Sequence, residues 1–258
     1  MNSSTRTTSE KTVVVIGMHR SGSSLTSGIL EALGVNMGER LMAESQANPV
    51  GYFEDKAFLR LNRKILNAAG GTWYDPPSPE AIRAQVEAFR SEVETLLQDK
   101  PLRWGWKDPR TSLTLEVYLD QLTDPHLVVT HRDPEAIAAS LVKRGDMQYD
   151  EAIALTTLYE KRIQSILEAH PELPRLHASY ETLTRHPRRW TKEAIRFLDL
   201  KPTPEQREQA WSLVLSKRSI QWLRAKRLLT EAFRRPLDVP QYVLRRLRQR
   251  SNSKLETQ

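Results

Sequence analysis

The chain reads as an α/β protein, a three-layer α/β/α arrangement around a central parallel sheet. Three observations predict it. Short β-branched runs alternate with helical patterns along most of the sequence. The first run, "TVVVI" (12–16), passes through "GMHRSG" straight into a helical pattern. A second buried run, "HLVVT" (126–130), hands over the same way to "DPEAIAASLVKR" (133–144), with Asp at the N-cap and Pro at the first helical position.

The first helix is expected from Ser23 to Leu33, closed by Gly34, a residue suited to the left-handed turn after a helix end. "VNMGERLMAESQANPVGYFED" (35–55) reads mostly as loop, and residues 56–68 as helix. "GGTWYDPPSPE" (70–80) breaks the chain and starts a helix near Pro79. There Ile82, Val86, Phe89, Val93 and Leu96 recur at steps of four and three, one apolar stripe on a surface helix. A strand is expected over 102–108, a helix over 109–122, a long helix over 149–169, a strand over 175–181 and a helix ending at Leu198. This divides the chain into a flexible N-terminus (1–11), a phosphate-loop domain (12–200) and a helical, basic C-terminal extension (201–258).

Composition removes several function classes. There is no cysteine, which excludes disulfides, thiolate catalysis and zinc–thiolate sites. No run approaches the ~20 apolar residues that cross a bilayer, and the polar start has no signal-peptide core. A cytoplasmic location fits. The net charge is +7, and residues 217–250 hold eleven Lys/Arg against Glu231 and Asp238. The default reading of that run is a solvated face or tail. Peripheral contact with a membrane surface is the lesser reading, and no nucleic acid is expected, since aromatic and basic residues do not interleave there apart from Trp222.

The Gly17-x-x-x-x-Gly22 loop has the plan of a P-loop nucleoside triphosphate hydrolase, but Ser23 stands where the lysine belongs. Backbone N–H groups from Arg20 through Ser21, Gly22, Ser23, Ser24 and Leu25 are placed to cradle an anion at a helix N-terminus. Without the lysine, ordinary ATP or GTP hydrolysis loses its β/γ-phosphate contact, and a general 5′-phosphate site remains. At the second strand end, Arg132 sits at the handover to helix, while Ser140 and Arg144 lie four apart on one helix face. Together they could close on a second phosphate. Taken singly, Arg132 could instead pair with Asp133 or Glu135, and Arg144 could be a solvated charge.

"GMHRSGSSL" resembles the 5′-phosphosulfate loop, and "RDPEAIAAS" the 3′-phosphate motif, of sulfotransferases that use 3′-phosphoadenosine-5′-phosphosulfate (PAPS). "WKDPRTSL" is similar to the Lys-Asp-Pro segment of the protein-tyrosine sulfotransferase branch, and "SYETLTRHP" to the family's Tyr-Glu-x-Leu segment, so the likeness runs from about residue 13 to 200. The resemblance implies PAPS as co-substrate without a metal, its 5′ end in the cradle and its 3′-phosphate on Arg132 and Ser140, with Tyr180 in the nucleotide site. It implies a hydroxyl-bearing acceptor, a glycan or glycolipid foremost. Cytosolic members usually carry lysine at the position of Arg20, so this chain is closer to the arginine-type protein-tyrosine and bacterial branches.

Sulfuryl transfer needs cations at the oxygen that leaves and a base at the hydroxyl that attacks. Arg20 and Lys107 are the candidate cations; Lys107 could otherwise pair with Asp108 or Asp55. Glu54 in "GYFED" resembles the base of the tyrosine-modifying branch. Asp55 could replace it, one of the two being a helix cap, and His131 is a third contender, histidine being the base in cytosolic members. Trp73, Tyr74, Trp104 and Trp106 either stack on a ring of the ligands or fill the core. The six histidines form no metal-ligating pair, so no metal is expected. Two rivals stay open: a P-loop kinase with its cation supplied from elsewhere, and a non-catalytic binder of nucleic acid or membrane through the basic C-terminal third.

Overall fold

The computed structural model describes residues 10–43 and 51–214. The basic run over 217–250, most of the 201–258 extension and nearly all of the 1–11 segment lie outside them.

Four strands make one sheet: β1 (Lys11–Ile16), β2 (Arg103–Lys107), β3 (Pro125–His131) and β4 (Arg175–Ser179), ordered β2-β1-β3-β4 and parallel at every pairing. Alternate side chains divide between two cores. Val14, Ile16, Leu127, Val129, Trp104 and Trp106 face one layer, built on α2 (Lys56–Ala68), α3 (Pro79–Arg83), α4 (Val86–Leu97), α6 (Pro134–Arg144) and α7 (Tyr149–Ala169). Val13, Val15, Val128 and Ala178 face the other, built on α1 (Ser23–Ala32), α8 (Tyr180–Arg185), α9 (Pro187–Phe197) and α10 (Pro204–Ser212). This is the expected three-layer α/β/α fold. Both faces of β1 and β3 are covered, hence their unbroken apolar runs.

Gly105 marks the tightest strand approach: a Cβ there would stand 2.1 Å from the Val13 carbonyl oxygen. Trp106, fully buried, stacks on Phe58 at 4.4 Å between centroids and lies 5.6 Å from Trp104, so both β2 tryptophans are core residues. The end of α1 closes as expected. Gly34 (φ 100°) donates to Glu31 and Val35 donates to Leu30, which satisfies two terminal carbonyls.

Three expected helices are broken, each by a local competitor for backbone hydrogen bonds. The stripe over 82–96 divides into α3 and α4 because the Gln85 side chain donates to the Ala81 carbonyl, the acceptor its own N–H would use. That N–H turns to Ile82 instead. Over 109–122 only α5 (Thr111–Thr114) is α-helical, followed by two 3₁₀ turns (115–117 and 119–121). Thr114 Oγ1 bonds back to the Arg110 carbonyl and across to Asn62. The region from 175 to 198 becomes β4, α8 and α9. Ser179 caps α8 through Thr182 N–H, and Pro187, with no N–H to donate, ends one helix and starts the next. The compact unit continues past residue 200 to Val214, with α10 packed against α1.

Candidate functional site

The carboxyl ends of β1, β2 and β3 meet the start of α1, as expected of ligand sites in open α/β sheets. At β1 the loop is fixed from below. Gly17 N–H donates to Ser112 Oγ (2.8 Å), and Ser21 Oγ shares a 2.6 Å hydrogen bond with Thr130 Oγ1, which donates to the Ile16 carbonyl. Two glycines are obligatory here. A Cβ on Gly17 would lie 1.9 Å from Thr130 Oγ1, and one on Gly22 would lie 2.6 Å from the Tyr180 ring. Gly22 (φ 96°) precedes α1 without any side-chain cap, so the first-turn N–H groups of Ser23, Ser24 and Leu25 face outward into the cradle. Arg20 itself takes a left-handed backbone (φ 71°), a conformation uncommon for a non-glycine residue and often found at functional loops.

The second strand end comes to the first. Arg132 Nη1 donates to the Arg20 carbonyl (2.9 Å), its guanidinium lies 4.5 Å over the Tyr180 ring, and its Nε is buried with no hydrogen-bond partner. Arg20 Nε in turn donates to Ser140 Oγ (2.9 Å). Arg20, Arg132, Ser140 and Tyr180, drawn from three separate motifs, therefore form one cluster. Arg144 takes a different direction from Ser140: it pairs with Asp146 and reaches the Trp73 ring at 6.0 Å.

Lys107, 1% exposed at the end of β2, bonds Glu54 Oε1 at 2.7 Å and Ser24 Oγ at 3.3 Å. Its partner is thus Glu54, rather than Asp108 or Asp55. Asp108 accepts from Asn62, from the Arg110 N–H and from the Arg110 guanidinium. Asp55 is the N-cap of α2: its carboxylate accepts from the N–H groups of Ala57, Glu39 and Arg40. Burial alone would push that carboxyl up, but the N–H bonds of Ala57, Arg40 and Glu39 outweigh it and hold the group below its ordinary range. His131 shares a 2.7 Å hydrogen bond with His177; burial, then the neighbouring His177, lowers its pKa.

One residue at the site escaped the sequence reading. His19, beside Arg20, is buried and packed against Trp73 at 4.5 Å. A histidine inside a loop has no periodicity or spacing to mark it; only its position within the quoted motif could have done so. Trp73 is half-buried, and Tyr74 stands edge-on to it, 5.5 Å away and 59% exposed.

An uncapped helix start thus follows the loop after β1, and a guanidinium from the end of β3 is tied to that loop. The model of the Sulfotransferase family matches residues 12–205. The chain belongs to the sulfotransferase family, whose chemistry is sulfuryl transfer. No curated protein sequence matches it. Among solved structures, the sulfotransferase domain of the Synechococcus PCC 7002 olefin synthase is similar over 83% of this chain and 83% of its own, at 17% identity and a TM-score of 0.53, which shows the shared fold. Sulfotransferase STF9 from Mycobacterium avium is similar over 87% of this chain and 77% of its own, at 17% identity and a TM-score of 0.47. Among the described residues no helix is long and apolar enough to cross a membrane.

Proposed function

We propose that this sulfotransferase uses PAPS, passes its sulfuryl group to a hydroxyl acceptor and releases 3′,5′-ADP. The observation that carries the reading is the meeting of Arg132 with the loop after β1. With Nη1 committed to Arg20, the guanidinium retains a buried, unpartnered Nε, a donor suited to a phosphate oxygen. A side chain at Gly17 or Gly22 would intrude on Thr130 or Tyr180, which supports a loop built for backbone contact with an anion.

In this reading the N–H groups of Gly22, Ser23, Ser24 and Leu25 hold the 5′-phosphate, Ser21 being committed to the loop itself through its N–H on the Met18 carbonyl, while Arg132 and Ser140 hold the 3′-phosphate. When bound, PAPS supplies a sulfuryl group whose bond to the 5′-phosphate opens as the acceptor oxygen bonds sulfur. Arg20 and Lys107 place positive charge where the leaving phosphate oxygen gains negative charge. Glu54 does two things: Oε1 fixes Lys107, and we assign the acceptor's proton to Oε2. Asp55 is left to the helix cap and His131 to its histidine partner.

A carbohydrate or glycolipid is the acceptor class we favour, because Trp73, packed on His19 next to Arg20 in the chain, and the exposed Tyr74 offer ring faces on which a sugar's C–H face can stack. Transfer from PAPS that persists in EDTA, with no Mg²⁺-dependent ATP turnover, is the expected result. The reverse pattern would assign the site to a kinase.

A further inference from the structure

His19 is a buried side chain that the scheme above leaves unused. Its ring is held on one side by Trp73, at 4.5 Å with the planes 53° apart, and approached edge-on by Tyr159 at 6.5 Å. The Tyr159 hydroxyl donates to the Trp73 carbonyl (2.9 Å), which fixes this wall. Nε2 of His19 is nevertheless buried with no hydrogen-bond partner, a state that costs stability and persists where function needs it.

The surroundings also fix its charge. Burial first, and then the positive charges of Arg110, Arg144, Lys107 and Arg20, hold its pKa well below the ordinary histidine value. His19 therefore stays a neutral imidazole among cations, with one ring nitrogen as donor and the other as acceptor. The acceptor oxygen is what such a neutral group suits. A cationic donor on that oxygen would withdraw electron density and blunt its attack, whereas a neutral N–H fixes its direction with less loss.

We propose that His19 is the positioning residue for the acceptor: Nε2–H donates a hydrogen bond to the hydroxyl oxygen and turns its proton toward Glu54. The Trp73–His19 wall then selects an uncharged hydroxyl and sets its angle of attack. This inference rests on the PAPS reading above. No bond to His19 is made or broken in it, and the proton goes to the carboxylate.

The test compares wild type, His19→Leu and His19→Gln in three measurements. These are 3′,5′-ADP affinity by calorimetry, melting temperature, and rates of PAPS turnover with octyl β-D-glucopyranoside and with water alone as nucleophile. Leucine removes the donor at similar volume; glutamine keeps an amide N–H near the position of Nε2. The expected pattern is unchanged 3′,5′-ADP affinity throughout, and for His19→Leu a melting temperature at or above wild type with turnover lowered roughly tenfold to a hundredfold. His19→Gln should regain most of that rate with an unaltered pH profile. Wild-type turnover in His19→Leu overturns the proposal. So does a His19→Gln as slow as His19→Leu with a shifted acid limb, which would make the ring a proton acceptor, and so does loss of 3′,5′-ADP affinity in His19→Leu. A wild-type protein that binds no 3′,5′-ADP defeats the PAPS reading itself.

Discussion

The ends of β1 and β3 are built from opposite materials. At β1 the donors are backbone N–H groups, held by Gly17, Gly22 and the uncapped start of α1, with side-chain hydroxyls bracing the loop from beneath. At β3 the donor is one guanidinium, laid across Tyr180 and tied to the first loop through the Arg20 carbonyl. A backbone cradle is stiff, and it is vulnerable chiefly where a side chain would be added. A side-chain clamp can be deleted by one substitution without disturbing the fold. The two ends should therefore fail differently: changes under the β1 loop should cost stability, and changes at β3 should cost affinity.

The largest expected effect lies where the two ends join. Arg20→Ala should slow transfer about a thousandfold, the scale of losing one donor at a developing charge, while 3′,5′-ADP still binds. Retained transfer would break the assignment of Arg20. Next comes the buried pair behind the loop. Lys107→Met alone leaves Glu54 uncompensated and should cost roughly 3–5 kcal/mol in urea unfolding. The double variant Lys107→Met/Glu54→Gln should recover most of that stability but none of the activity. If single and double variants unfold alike, the 2.7 Å contact is not the coupling it looks to be.

Gly17→Ala probes the cradle directly. With a Cβ placed 1.9 Å from Thr130 Oγ1, it should cost about 2–3 kcal/mol and lower the melting temperature by roughly 4–12 °C. Asp55→Ala is the smallest effect, about 1 kcal/mol for a lost helix cap, with activity retained. Because the carboxyl titrates below the ordinary aspartate value of 3.8, its contribution is present above that pH and fades as pH falls through the lowered pKa. The stability gap between wild type and Asp55→Ala should therefore be constant near neutrality and close in acid.

These contrasts also explain what the sequence could and could not reveal. β1, α1, β3 and α6 were legible because burial on both faces imposes long apolar runs, and because Gly22, Gly34, Asp133 and Pro134 punctuate the helices in ways that follow from backbone chemistry. The breaks at 84–85, 115–121 and 186–187 were hidden. Each depends on a local competitor for one carbonyl or on a missing N–H, which hydrophobic periodicity does not register. At the site, the tight turn after β1 was readable from glycine spacing, and the strand–helix unit that carries Arg132 and Ser140 from its Asp-Pro helix start. The pairing of Lys107 with Glu54, where Asp108 or Asp55 was expected, was not, since it depends on how the loop before α2 folds back onto the end of β2. Arg144 shares a helix face with Ser140 yet turns to Asp146 and Trp73, because a long side chain at a helix end answers to its nearest partner rather than to its row.

The central claim is that both strand ends hold one adenosine bisphosphate, and calorimetry can test it by removing a phosphate from the ligand and a guanidinium from the protein. Wild type should bind 3′,5′-ADP about ten- to a hundredfold more tightly than 5′-AMP, the scale of charge-assisted hydrogen bonds, and that gap should vanish in Arg132→Ala. Equal affinities for the two nucleotides in wild type, or a gap that survives in Arg132→Ala, would contradict it.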